Sequence, residues 1–549
     1  EKIDALPLYA IYGTRIEVRP NPTSEKGIYY LQAEAINDAS VIAASPGART
    51  MEEVVWAESR APDEPFALDA TTMPRTIVYD ATADNFTVGE PSLGWDERGS
   101  GDDNSAPHPH IVGRTITDIS YFQKRLVFLA EDTVSMSETE NLFNWWRASV
   151  VTLLVTDPVS ISSDAPNIDK LHSMTNHNRN LLVTASNAQF KIDGSVAVTP
   201  QTVSMPLVAS YEVQTSVAPI SLGNAVYMPL NYGDSSGVQV YSGEKDTTQD
   251  IATPISHQVI GYIAGEISTL VGSPNLSMIA ITSTNSLANE IFVYEQFRNP
   301  DGRLSQQSWS RWTVPDTTTI IDMTFVNDKL ELICHDNNRI IAKSLSMYSS
   351  VSVNTNAVFL DDMLVLNSTD GLSTLFPTNY IVDANTVVVR GEGTDYPLTE
   401  VKYTTVANSI IFDEPISDGV ACKIYVGNKY KSAYRPTRPF KYDEQAIAVT
   451  TDRVRVSKFI LNVVDTTEVS MEIVSDFSNF DDQTFNARFV GSASNLIGEI
   501  PQYSGDIPFS YSHNADLAEA EFYTDGFLGL TISGLSWSGQ YYQSSGRMK

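Results

Sequence analysis

At 549 residues the chain is longer than one hydrophobic core organises, so roughly two to four domains are expected. Its 67 acidic and 36 basic residues give a formal charge of −31, which opposes tight binding of phosphate by the chain as a whole. An apolar fraction of 42 % excludes general disorder, and no window reaches the roughly 20 apolar residues of a membrane helix.

The opening EKIDALPLYA has no basic stretch followed by an apolar one, so no secretory signal is read there. GIYYLQAEAI and EEVVWAES alternate as paired strands would, placing a small β element within residues 1–110. The stretch DERGSGDDNSAPHPH (Asp96–His110) is rich in Gly, Asp, Ser and Pro and reads as an acidic, solvated linker. His108 and His110 flank a proline with no further His or Cys nearby, and Asp96–Asp103 lacks the closing Glu of a calcium loop. Neither stretch is expected to hold a metal.

From Arg125 onward a two-strand unit recurs. RLVFLAEDTVSMS alternates, turns at Glu131–Asp132 and alternates again. LLVTASNAQFKI, NAVYMPLNYGDSSGVQVYS, LSMIAITSTNSLANEIFVYEQF and KLELICHDNNRIIAKS repeat the pattern. With Leu126, Leu181, Val226, Met278 and Leu330 as equivalents, the steps are 55, 45, 52 and 52 residues. A hairpin recurring at that interval predicts the blades of a β-propeller over 111–350; an irregular string of antiparallel strands is the alternative. Residues 351–443 form another strand-rich stretch, with KIYVGNKY near its end. In 444–549, RVRVSKFILNVV and EVSMEIVSD are strands, and NARFVGSASNLIGEIPQYSGDIPF is loop-like with short strands; this part is expected to be a β-sandwich. The expected class is all-β, a propeller core with additional antiparallel domains.

Signals of chemistry are weak. No phosphate-binding glycine loop, dinucleotide fingerprint or HExxH is present. GLSWSG at Gly534–Gly539 places its second glycine one position too late for a nucleophile elbow and reads as a strand. Asp361 and Asp362 are adjacent, so on a strand they would point to opposite faces. Cys334 and Cys422 are too few for a disulfide scaffold and read as small buried residues. No cofactor is expected. The aromatics say more: ENLFNWW follows the first hairpin unit and QQSWSRW the fourth. Phe143, Trp145, Trp146, Trp309 and Trp312 are therefore expected in connections between repeats, as packing or subunit-interface residues.

These stretches resemble a known family. GRTITDISYFQKRLVFLAEDTVSMSETENLFNWW carries an FxxRL hairpin and an SxTxxxFNWW strand. A DP dipeptide follows, then a strand ending in AQFKI. With VTPQTVSM (Val198–Met205), GNAVYM, QQSWSRW and the terminal GLSWSGQYYQSSGR, this order is similar to the tail tubular protein B family, the nozzle proteins of short-tailed phages of the autographivirus type. The family's N-terminal Gly-Gly-x-Ser-Gln-Gln segment has no match, as in a C-terminal fragment or a shorter member. The resemblance implies a virion tail protein rather than an enzyme, with a propeller in its fold. It also implies a homohexamer below an adaptor ring (tail tubular protein A) that contacts tail fibres, retains the genome and conducts DNA into the host envelope without binding it specifically. The competing expectation is a carbohydrate-binding or carbohydrate-active propeller used in adsorption to a host surface.

Overall fold

The computed structural model describes residues 6–21, 27–36, 51–163, 170–242, 251–300, 304–336, 338–347, 352–353, 356–377, 380, 382, 384–442, 448–449, 453–475, 482–488 and 500–542. These residues are organised in antiparallel sheets, with one 3-10 turn at His257–Val259 and no α-helix among them. The chain divides into two compact units, 1–345 and 346–549.

The first unit opens with a four-stranded sheet in which Tyr29–Ala35 and Met51–Ser59 pair, as their alternation predicts. An isolated hairpin, Thr76–Asp80 with Asn85–Gly89, follows. Five consecutive meanders come next. The first blade is Ile116–Phe122, Arg125–Ala130, Thr133–Met136 and Val159–Ser162; the second is Leu171–His177, Asn180–Ala185, Gln189–Ile192 and Leu207–Ala209. The third is Ile220–Leu222, Ala225–Asn231, Ser235–Ser242 and Ile251–Pro254, with Ile263–Ala264 added along its third strand. The fourth is Ile267–Ser273, Met278–Ser283, Glu290–Arg298 and Leu304–Thr313. The fifth has three strands among the described residues, Thr318–Val326, Lys329–Asp336 and Arg339–Ser346. The first strand of each blade lies against the first strand of the next, which is propeller geometry. All five repeat equivalents read from the sequence, Leu126 to Leu330, fall in the second strand of their blade.

Local chemistry sets the tight turns. The first two strands of blades one, two and five are joined by Gln123–Lys124, Asn178–Arg179 and Asn327–Asp328, both residues of each pair having positive φ. That conformation matches the right-handed twist of the flanking strands. Alternation within a strand then sends neighbouring side chains to opposite blades. Leu181 and Val183 join Val127, Leu129 and Val134 in a core between blades one and two. Leu182, between them in sequence, instead packs with Val226 and Met228 of blade three. Tyr227 points the other way, to Ile279, Ile281 and Phe292 of blade four.

The second unit holds a four-stranded sheet (Asp361–Ser368, Cys422–Asn428, Thr386–Arg390, Glu400–Val401) sharing a core with a three-stranded one (Ser373–Leu375, Ser409–Phe412, Tyr403–Val406). Cys334 of the first unit and Cys422 of the second are both buried. C-terminal to these sheets, Ser432–Tyr434, Glu519–Thr524, Glu468–Val474 and Gln483–Asn486 form one sheet. Tyr503–Asn514, Arg453–Thr466 and Thr531–Tyr542 form the other. Val456, Leu461, Val469, Met471 and Phe522 fill the core of this sandwich. The stretch expected to be loop-like therefore ends in a 12-residue strand, Tyr503–Asn514, whose polar outward residues hide its alternation; residues 489–499 lie outside the described residues.

Candidate functional site

The ENLFNWW segment lies in the connection between the third and fourth strands of blade one rather than between blades. Trp145 and Trp146 are only 3 % and 2 % exposed. Trp145 stacks on Phe128 of the second strand, with ring centroids 4.6 Å apart and planes 9° from parallel. Phe143 meets Trp95 edge to face at 5.4 Å, and Trp95 lies 6.3 Å from Phe128. Ile111, Ala130, Leu68 and Met73 complete the cluster. Val127 and Leu129 face blade two, whereas Phe128 and Ala130 face this cluster. The aromatic segment thus covers the face of blade one that a preceding blade would cover in a closed propeller.

Trp146 continues the same cap on the polar side. Its Nε1 donates to the Asp96 carbonyl at 3.0 Å, the Arg98 guanidinium sits 4.5 Å above its ring, and His108 meets it edge to face at 5.0 Å. Arg98 is fully buried and donates to Asp103 at 2.5 Å. Asn141 donates to the Asp96 carboxylate at 2.8 Å, and Ser100 to the Arg147 carbonyl at 3.1 Å. Gly101 bridges to Arg60 at a φ of +76°, and a Cβ there would lie 2.6 Å from Val150. Asp96–His110, read from composition as a solvated linker, is therefore threaded beneath the tryptophans. Its small and acidic residues serve close approach and hydrogen bonding to the cap.

The residue that fixes this loop is one that sequence reasoning did not single out. Arg125, the arginine of the FxxRL motif, is 1 % exposed and donates to five main-chain carbonyls: Ser137, Val155, Thr156, Asp157 and Val198. Four of these carbonyls belong to the connection carrying the tryptophans, and the fifth, Val198, lies in the connection between the third and fourth strands of blade two. Burial pulls the guanidinium below its ordinary pKa and the Glu138 and Asp157 carboxylates pull it back, so it stays charged. Asp157, of the DP dipeptide, is also fully buried and accepts from the Ala148 and Leu154 amides at 3.2 and 2.8 Å. The signal that could have found the pair was a lone charge inside an apolar strand, at RLVFLA, facing a charge before proline. At the same seam Gln123 spans from blade one to Gly194, Val196 and Val198. Asp118 accepts from the Met174 amide of blade two at 2.6 Å; burial raises its pKa despite that bond.

Trp309 and Trp312 are not brought to this cluster. Both lie on the outer strand of blade four, Leu304–Thr313, and both are half-buried. Trp309 packs on Tyr294 at 5.0 Å and donates to the Ile255 carbonyl of blade three at 3.3 Å, so it ties two blades together. Trp312 is registered against Ile291. The inner strands of blades two to five line a cavity of about 460 Å³ whose walls include Thr175, Asn176, Ser221, Gly272 and Thr324. Thr175 is committed to the Pro219 carbonyl and Ser221 to His177, both at 2.8 Å. Among the described residues no group of three or more His, Cys, Asp or Glu side chains is placed to hold a metal ion. The arrangement binds segments of its own chain to one another.

Residues 1–548 match the bacteriophage nozzle protein family. The chain belongs to that family. Over 334 residues, 61 % of this chain, it is 25 % identical to tail tubular protein gp12 of Escherichia phage T7, and the match spans 39 % of that protein. Among solved structures, the Pan2 WD40 domain of Neurospora crassa aligns with 52 % of this chain and 83 % of its own at 10 % identity and a TM-score of 0.27. Prolyl oligopeptidase B of Galerina marginata aligns with 82 % of this chain and 56 % of its own at 10 % identity and a TM-score of 0.32. Likenesses of that strength bear on nothing further.

Proposed function

We propose that this chain is a structural subunit of a phage tail nozzle: a homohexameric tube, docked on an adaptor ring and contacted by tail fibres, that retains the genome and then conducts it towards the host envelope. The observation that carries this reading is the nozzle-family match over residues 1–548. We read the four stretches 1–110, 111–350, 351–443 and 444–549 as its working parts and assign it no catalytic role. The buried, mutually stacked tryptophans support a packing role for Phe143, Trp145 and Trp146, and they offer no open platform for a sugar ring.

Subunits of charge −31 repel, so they meet through surfaces poor in charge. The hairpin Thr76–Asp80 with Asn85–Gly89 is such a surface. It exposes Ile77, Val78, Tyr79, Phe86 and Val88, and a two-stranded hairpin standing alone is marginal in water. We assign it to the contact with a neighbouring subunit. The test is particle mass and symmetry, by light scattering and negative-stain imaging, with and without the adaptor ring. Six-fold tubes are expected, and Ile77→Ser with Phe86→Ser should weaken them while leaving a folded subunit. A chain that stays monomeric with the adaptor present would overturn the nozzle reading.

A further inference from the structure

The outward face of the C-terminal sandwich carries a row of cations that the nozzle reading does not use. Arg453, Arg455 and Lys458 lie on the central strand of the sheet Tyr503–Asn514, Arg453–Thr466, Thr531–Tyr542, and all three are exposed. Their neighbours Val454, Val456 and Phe459 point into the core. Strict alternation would turn Lys458 inward with Val454 and Val456. A bulge between Val456 and Lys458 prevents this, registering Arg455 with Gln540 and Lys458 with Ser538 so that both stay on the outer face.

What surrounds the row matters more than its length. Across the two flanking strands the three cations face Tyr542, Gln540 and Ser538 on one side and Asn514 and Ser510 on the other. None of those five is acidic, and among the described residues none of the three cations makes an ion pair. Beside the other sheet, by contrast, Lys431 and Arg435 share Glu521, with Glu472 and Glu519 beside them, and Arg438 reaches Asp516. In a chain with 67 acidic residues, three adjacent uncompensated cations flanked by hydroxyl and amide groups fit a polyanion. Residues two apart on a strand are separated by about 6.7 Å, equal to roughly two of the 3.4 Å rises per phosphate measured along the duplex axis. The flanking Ser and Gln groups can hydrogen-bond phosphate oxygens and read no base. The acidic remainder of the molecule acts weakly beyond a Debye length of about 10 Å.

We propose that this sheet face contacts the phosphodiester backbone of duplex DNA, without sequence preference, through Arg453, Arg455 and Lys458. The choice of DNA as the polyanion rests on the nozzle reading; the face itself rests on the register and the missing counter-charges. The row is a local brake in an otherwise repelling conduit, strong enough to steady the genome and weak enough to release it.

The test is fluorescence anisotropy of a labelled short duplex with the full chain, over about 0.1 to 0.3 M salt, where the Debye length is about 10 Å or less. The wild type should bind at the low end, with affinity falling as salt rises. Arg453→Ala with Arg455→Ala and Lys458→Ala should reduce the slope of log affinity against log salt by about 2.7, three phosphate contacts' worth. Replacing both arginines by lysine should keep most of the slope, and unchanged melting of the variants separates lost contacts from lost fold. An unchanged slope in the alanine variant, or no binding by the wild type at low salt, overturns the proposal. So does displacement by polyglutamate at equal charge concentration together with a lower particle mass for the alanine variant, which would assign the face to an acidic protein surface. Failure of the nozzle reading shows separately, as absence of six-fold particles whatever the duplex does.

Discussion

The two ends of the propeller are finished differently. Blade one is buried on both faces: Val127 and Leu129 meet blade two, while Phe128 and Ala130 meet the tryptophan cap. Blade five is buried on one face only. Met323, Leu330, Leu332 and Cys334 are buried, whereas Ile321, Ile333 and Ile340 are exposed, Ile340 by 72 %. The sequences differ accordingly. After Arg125, LVFLA is a continuous apolar run in a doubly covered strand, and KLELICHD alternates as a singly covered strand does. One end has converted a loop into a substitute for a missing blade; the other leaves its face for something outside the unit to cover, or for water.

On that contrast, the most damaging change should lie where the cap is tied. Arg125→Met keeps the bulk of the side chain and removes the donors to five carbonyls, two of them within 3.0 Å. Leaving such groups unpaired inside the protein should cost about 3–5 kcal/mol, read as a fall in the urea midpoint of the full chain. Trp146→Ala should cost about 3 kcal/mol or somewhat more, since it opens a cavity and frees the buried Arg98 guanidinium from the ring beneath it. Intact stability in either variant would mean the cap is ornamental to the fold.

The same contrast explains what could be read beforehand. The hairpins recognised in the sequence are the second and third strands of each blade, such as Arg125–Ala130 with Thr133–Met136, because those strands lie between two neighbours and carry dense apolar residues. First strands were harder to see. Ile116–Phe122 is half-buried and mixes Thr, Asp and Ser into its pattern. Fourth strands are short or exposed: Leu207–Ala209 has three residues and Ile251–Pro254 none that are buried. At the cap, FNWW announced itself by its aromatics. Its partners did not, because Asp96, Arg98 and His108 act through one carbonyl, one guanidinium face and one ring edge, which leave no periodic trace. The bulge that turns Lys458 outward is equally silent, since it depends on pairing partners some 50 and 80 positions away.

At the open end, Ile340→Thr should change subunit stability by no more than about 0.5 kcal/mol, because the side chain is already in water. A larger loss in the isolated subunit would show that blade five is covered within the chain. A loss seen only in assembled particles would instead mark its face as a contact.

The smallest expected effect lies at the seam between blades one and two and depends on pH. Burial raises the Asp118 pKa above its ordinary value, and the Met174 and Ile119 amides offset this only in part. A carboxyl whose folded pKa exceeds its unfolded one favours folding while protonated and loses that advantage as pH climbs from the unfolded value through the folded one. Asp118→Asn keeps an oxygen for the Met174 amide and removes the ionisation. Its melting temperature should therefore match or slightly exceed the wild type at pH 7, and the gap should close as pH falls below the carboxylate range. A variant that is less stable at pH 7, with a deficit that shrinks on acidification, would show that the charged carboxylate is held by the two amides more strongly than burial disfavours it.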